Sequence, residues 1–257
     1  MADNDNRDVT ISKIAEITVT FWILKILATT LGETAGDYLS MTLDLGYLQS
    51  LGITTTALIL LVSLQVILNR FHPLAFWIAI VATTTAGTEV SDFMDRTLGV
   101  GYIGGSLILS VGLAITFVAW VRRTGTLRVE PMTRKDTEIM FWIAVVFSNS
   151  LGTAFGDFLI DDLGLTFIEG SLATAGIIAL VALLHYMRAI NDIALFWIAF
   201  IFTRPFGATF GDFLTKPISD GALALPRETA SLVTIGLMGL FLILSARSAR
   251  RRARQDA

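Results

Sequence analysis

Glu33 and Asp37 stand four residues apart in LGETAGDYLS, directly after an apolar run, and a helix facing lipid throughout would carry neither. At that spacing both carboxylates share one helical face. The acid recurs. Asp37, Asp92, Asp157 and Asp212 each lie sixteen residues after the Phe of a Phe-Trp pair, at Phe21, Phe76, Phe141 and Phe196. Eleven residues after the same Phe stands a glycine: Gly32, Gly87, Gly152 or Gly207. Positions 8, 12 and 16 after the Phe then form a polar stripe on each copy, reading Thr29-Glu33-Asp37, Thr84-Thr88-Asp92, Asn149-Thr153-Asp157 and Arg204-Ala208-Asp212. Glu89, three residues before Asp92, lies beside its Asp.

The chemistry that follows is cation chemistry. Carboxylates together with Thr and Asn oxygens suit hard ions such as manganese, calcium or magnesium, and the absence of cysteine removes thiolate ligands for softer metals. The candidate ion-binding residues are Glu33, Asp37, Glu89, Asp92, Asn149, Asp157, Arg204 and Asp212. Copies one and two hold both glutamates, so Glu33, Asp37, Glu89 and Asp92 are the expected metal ligands. Arg204, about 12 Å along its helix from the Phe, is read as the partner of an acid on a neighbouring helix, or else as the ligand of an anionic substrate. Lys25 lies close enough to Phe21 to extend its ammonium back to the membrane interface. Six carboxylates against two cations near one axis repel in a medium of low dielectric, and such a site favours cations or protons. His72 and His185 fall near the opposite helix ends, away from the stripe.

The elements that must hold these residues are legible in composition and repetition. The chain of 257 residues is 54% hydrophobic and 16% charged, with a mean hydropathy of +0.69, far above what a soluble domain of this length requires. Four gapless copies begin at the four Phe-Trp pairs, spaced by 55, 65 and 55 residues. The extra ten fall in a polar connector, 122–138, between two halves. Each copy continues into a second apolar run, roughly 49–69, 105–121, 170–187 and 229–246, each long enough for a bilayer core of about 30 Å. The expected fold is therefore an all-α integral membrane protein of eight spans, built as four parallel helical-hairpin repeats around an axis along the membrane normal. Its divisions are an N-terminal segment (1–14), repeats one and two (15–121), the connector, repeats three and four (139–246) and a basic tail (247–257) that touches anionic lipid.

Lys and Arg concentrate at one set of ends, including Arg7, Lys13, Arg70, Arg122, Arg123, Arg128, Arg134, Arg188 and the tail arginines, whereas the opposite loops hold Arg96, Lys216 and Arg227. By the positive-inside rule both termini are cytoplasmic. The first dozen residues are polar and acidic and lead into no small-residue cleavage site, so no removable signal is expected. The Phe-Trp pairs are expected as an interfacial aromatic belt. Gly32/Gly36, Gly87/Ser91, Gly152/Gly156 and Gly207/Gly211 read as small-residue packing positions. Each motif Asp could mark the outer end of its first helix or cap a short following one, and Pro205 is expected to interrupt its span.

No phosphate-binding loop, His-Glu-x-x-His pair or Gly-x-Ser-x-Gly elbow occurs, so no enzyme is expected. No resident cofactor and no nucleic-acid partner is implied; the partners are the lipid bilayer and a transported ion, and a homo-oligomer stays open. Four tandem copies of an FW…G…GD unit over roughly 15 to 246 resemble the bacterial membrane-anchored proteins built from a repeat of unknown function. That resemblance implies an eight-span inner-membrane protein and supplies no substrate. ETAGD is also loosely similar to the Glu-x-Gly-Asp motif of calcium/manganese–proton exchangers, with one extra residue; EVSD lacks the Gly, and copies three and four lack the Glu. The expected function is a secondary transporter of a divalent cation such as manganese, coupled to protons. The alternatives are a carrier or channel for a small anionic or organic solute held by Arg204 and Lys25, and a non-transporting membrane scaffold or sensor.

Overall fold

The computed structural model describes residues 12–68 and 70–255, with side chains as far as Ser248. Arg7, and the side chains of Arg250, Arg251, Arg252 and Arg254 that entered the charge asymmetry, lie outside this description. Among the described residues the fold is all-α. Its eight helices are α1 (Val19–Asp37), α2 (Gly46–Ile67), α3 (Pro73–Asp92), α4 (Tyr102–Thr124), α5 (Lys135–Asp157), α6 (Phe167–Tyr186), α7 (Asp192–Thr215) and α8 (Arg227–Gln255). Starts are set by local chemistry: the Thr18 hydroxyl accepts the Phe21 N–H, Pro73 opens α3, and Asn191 accepts the Ile193 N–H.

Seven of these helices are long and apolar enough to cross a membrane. The exception is α1, which carries Lys25, Glu33 and Asp37 within its length. It is covered by protein instead. The four odd-numbered helices form an inner ring, α1 against α3, α3 against α5, α5 against α7 and α7 against α1. Around them stand the even-numbered helices, which expose large apolar side chains such as Leu60, Leu107, Leu172 and Leu232. In its most apolar stretch α3 is 67% buried inside the protein, against 17% for α2. An outer surface so apolar belongs in lipid, and the chain is a membrane protein.

The two helices of one copy do not pair as the expected hairpin. Each outer helix packs on the inner helix of the following copy, α2 on α3, α4 on α5, α6 on α7, and α8 returns to α1. The connection after the first three motif Asp residues explains the reach. Directly after Asp37, Asp92 and Asp157 the chain widens into π-helical turns (Tyr38–Thr42, Phe93–Thr97 and Phe158–Asp162) before the outer helix begins. None of these three Asp side chains caps its turn, so capping does not explain them.

The glycines set the spacing of the inner ring. A Cβ on Gly32, Gly87, Gly152 or Gly207 would come within 3.0 Å of Thr84, Asn149, Arg204 or Thr29, in each case the stripe residue of the next helix round. Backbones this close leave room for hydroxyl-to-carbonyl bonds across the ring, Thr84 Oγ1 donating to Ala28 O at 2.9 Å and Thr29 Oγ1 to Thr203 O at 3.1 Å. Contrary to the expected break, α7 runs unbroken through Pro205. The absence of a side chain on Gly152 accommodates the proline ring there.

The Phe-Trp pairs also turn inward rather than forming a lipid-facing belt. Phe21 meets Trp77, Phe76 meets Trp142, Phe141 meets Trp197 and Phe196 meets Trp22, with ring centroids 5.5, 5.7, 6.3 and 5.7 Å apart. These rings close one end of the inner bundle. Beneath them the segment from Ser12 and the connector pack as part of the same apolar core, burying Ile14, Val129 and Met132 with Trp120. The connector is thus a structural element of the bundle end. Lys13 ties it to α2: its N–H donates to Met132 O, and its buried ammonium pairs with buried Glu138 and donates to Val66 O of α2 at 2.9 Å.

Candidate functional site

The inner ring carries its polar groups as layers along the axis, starting from the aromatic end. Lys25 comes first, on α1. It is completely buried, which overturns the expected reach to the interface: its ammonium donates to Asn149 Oδ1 at 3.0 Å and lies 4.1 Å from the centre of the Phe200 ring. A hydrogen-bond acceptor on α5 and an aromatic face on α7 hold it inward more effectively than the interface attracts it. Asn149 in turn donates from Nδ2 to Thr83 Oγ1 at 2.9 Å.

The next layer belongs to Arg204 and Glu33. Arg204 is fully buried and its Nη2 donates to Glu33 Oε2 at 2.9 Å and to Thr88 Oγ1, while Nη1 reaches Thr29 O at 3.4 Å. The pair joins α7 to α1, with α3 contributing the hydroxyl. Losing either partner of such a pair is costly, because the buried charge left behind has no water to fall back on.

The four motif Asp residues form the far layer, none more than 5% exposed. Oxygens of Glu33, Asp37 and Asp212 lie within 4.8 Å of one another. Of the expected metal ligands, Glu33 and Asp37 are therefore together. Asp212 of copy four stands with them, whereas Glu89 and Asp92 are not part of this group. The reason is the ring order, which places α7 as well as α3 against α1. Glu89 is fully buried with no hydrogen-bond partner on either carboxyl oxygen. Asp157 has a buried Oδ2 without a partner, and Asp92 lies 3.5 Å from Arg96.

Three cations from the connections complete the layer. Lys216 Nζ donates to Asp37 Oδ2 at 2.9 Å and stands 3.1 Å from Asp212 Oδ1, and Arg227 Nε lies 3.4 Å from Asp37 Oδ2. Burial opposes the Lys216 charge, but the Asp212 and Asp37 carboxylates outweigh it and hold the ammonium above the ordinary lysine range. In the sequence alone Arg96, Lys216 and Arg227 are outer-loop charges. One signal was available: Arg96 and Lys216 each follow their motif Asp by four residues, one helical turn. His72 and His185 take no part; His72 Nδ1 accepts the Ala75 N–H and His185 pairs with Asp192.

No curated protein and no solved structure matches the chain. The family described as Repeat of Unknown Function (DUF347) matches it four times, over residues 20–71, 75–126, 140–191 and 195–251. Each match begins one residue before a Phe-Trp pair, so the unit of the family and the unit of the ring coincide, and the chain belongs to this repeat family.

Proposed function

We propose that the protein is a secondary transporter of the inner membrane that moves a hard divalent cation, such as manganese, in exchange for protons. In this reading α1 crosses the membrane with the other seven helices, the ring axis runs along the membrane normal, both termini are cytoplasmic, and the acid layer opens to the outside. The observation that carries it is the gathering of Glu33, Asp37 and Asp212 oxygens within 4.8 Å in a buried layer between four closely packed helices. Ionisable groups are costly there and are retained where they serve a pathway. Oxygen donors at this density match a hard ion. A cation and protons would compete for the same carboxylates, and linkage makes that competition reciprocal.

The test is uptake into proteoliposomes. Manganese accumulation should follow an imposed proton gradient, fall at least tenfold in Asp212→Asn and Glu33→Gln, and fall less in Asp157→Asn. Uptake that ignores both the gradient and these substitutions would sink the exchange mechanism.

One observation favours a second reading, the scaffold. Arg204, Lys216 and Arg227 already neutralise the three gathered carboxylates from within the chain. Absence of any cation binding to the purified protein would select it.

A further inference from the structure

We infer that Lys216 is a tethered cation seated in the ion site, a built-in competitor that the incoming ion must displace; this rests on the cation-site reading above. Its ammonium lies between two of the three gathered carboxylates, 2.9 Å from Asp37 and 3.1 Å from Asp212. The two contacts differ in kind. The first is a directed hydrogen bond, whereas Asp212 Oδ1 is buried and without one, so Lys216 neutralises that oxygen without satisfying it. A ligand with more directional freedom than a tethered amine would do both.

The way Lys216 is mounted supports an exchangeable role. It sits at the C-terminal cap of α7, where the helix gives way to the 216–226 connection, and its side chain is 17% exposed, against 0% for Arg204. The connection folds back on the helix end, with Leu223 N–H donating to Phe213 O at 2.9 Å, Ala224 N–H to Lys216 O at 2.9 Å and Leu225 N–H to Leu214 O at 2.8 Å. The base of the side chain is therefore fixed, and part of the side chain reaches the surface. Rotation about the side-chain bonds can withdraw the ammonium without moving α7. Arg204 has no such exit, and its pair with Glu33 belongs to the permanent frame.

Arg227 approaches the same Asp37 oxygen at 3.4 Å from the start of α8, so Asp37 stays partly compensated when Lys216 leaves. Removal of Lys216 thus uncovers a site of net negative charge in which Asp212 loses its only ion pair among the described residues, and the incoming ion must replace it. The ion that replaces it must bring at least the charge Lys216 withdraws and must offer contacts to Asp37 and Asp212 together. A divalent ion with several oxygen ligands satisfies both conditions.

The experiment measures manganese binding to the full-length purified protein by titration calorimetry in wild type, Lys216→Gln and Lys216→Cys. The natural chain has no cysteine, so a thiol at 216 can be modified alone. Both variants should bind manganese about tenfold more tightly than wild type, the scale of one lost competing ion contact. Aminoethylation of Lys216→Cys restores an ammonium on the same folded protein and should return the affinity to the wild-type value; methylthiolation, which adds bulk without charge, should leave it tight. Equal or weaker binding in the uncharged forms, with wild type still binding, overturns the inference and leaves the cation site standing. No binding by any form overturns the cation site itself.

Discussion

At the scale of single residues, the strongest commitments are the charges with no route to water. Arg204→Met leaves Glu33 buried beside an apolar side chain and should lower stability by about 3–5 kcal/mol, the range for breaking a buried pair by one partner. Adding Glu33→Leu should restore much of the loss, read as a melting temperature in detergent. Lys216 behaves differently with pH. Its folded-state titration is raised, so its contribution is fully present below the unfolded lysine value of about 10.4 and is lost only as pH climbs through the folded one. The stability difference between wild type and Lys216→Met should accordingly stay level from about pH 6 to 9; a decline within that window would mean the ammonium is not held by Asp37 and Asp212. The polar stripe was legible in the sequence because one face of one helix is a matter of counting by four. Which carboxylates meet was not, because Asp212 joins Glu33 only when the fourth copy closes against the first. The depth of Lys25 could likewise be counted, but the Asn149 acceptor and the Phe200 ring that turn it inward come from two other helices.

At the scale of elements, two kinds of contact hold the ring. The close approach of inner helices predicts that Gly207→Ala, whose new Cβ would clash with Thr29, strongly destabilises the protein, while Gly239→Ala on α8, with nothing within 4 Å, is neutral. Thermal unfolding of the two variants compares them directly. At the aromatic end, Lys13→Ala should cost about 3–5 kcal/mol by leaving Glu138 buried without its partner, and should loosen protease protection of the connector before that of the helices. Helix existence and type could be read from apolar length and the Phe-Trp repeat, and the small-residue positions from their spacing. The hairpin expectation failed because adjacency in sequence is not adjacency in space; π-helical turns after the first three motif Asp residues, and the 216–226 connection after the fourth, carry the outer helices to the next copy. The aromatic belt failed for a related reason, since a Phe-Trp pair at a helix end looks the same whether it faces lipid or the other three pairs.

At the scale of the whole molecule, every copy lends its outer helix to a neighbour, and α8 completes the circle on α1. Each half therefore leaves helix faces whose partners lie in the other half. Severing the backbone within 125–134 should still give an assembled protein, because α3 with α5, α4 with α5, α1 with α7 and α8 with α1 bridge the cut; two co-expressed pieces should co-purify, and either piece alone should be degraded or self-associate. The contact between copies is head-to-tail rather than face-to-face, and a head-to-tail contact whose rotation closes can be made by separate chains as well as by fused ones. A two-copy piece carries a donor helix at one end and an unfilled groove at the other, each complementary to those of a second identical piece. Seen in this way, the polypeptide is a closed assembly written into one gene, with the connector as its seam, and its departures from equivalence, Asn149, Arg204 and Lys216, are changes that only a fused chain can make in one copy at a time.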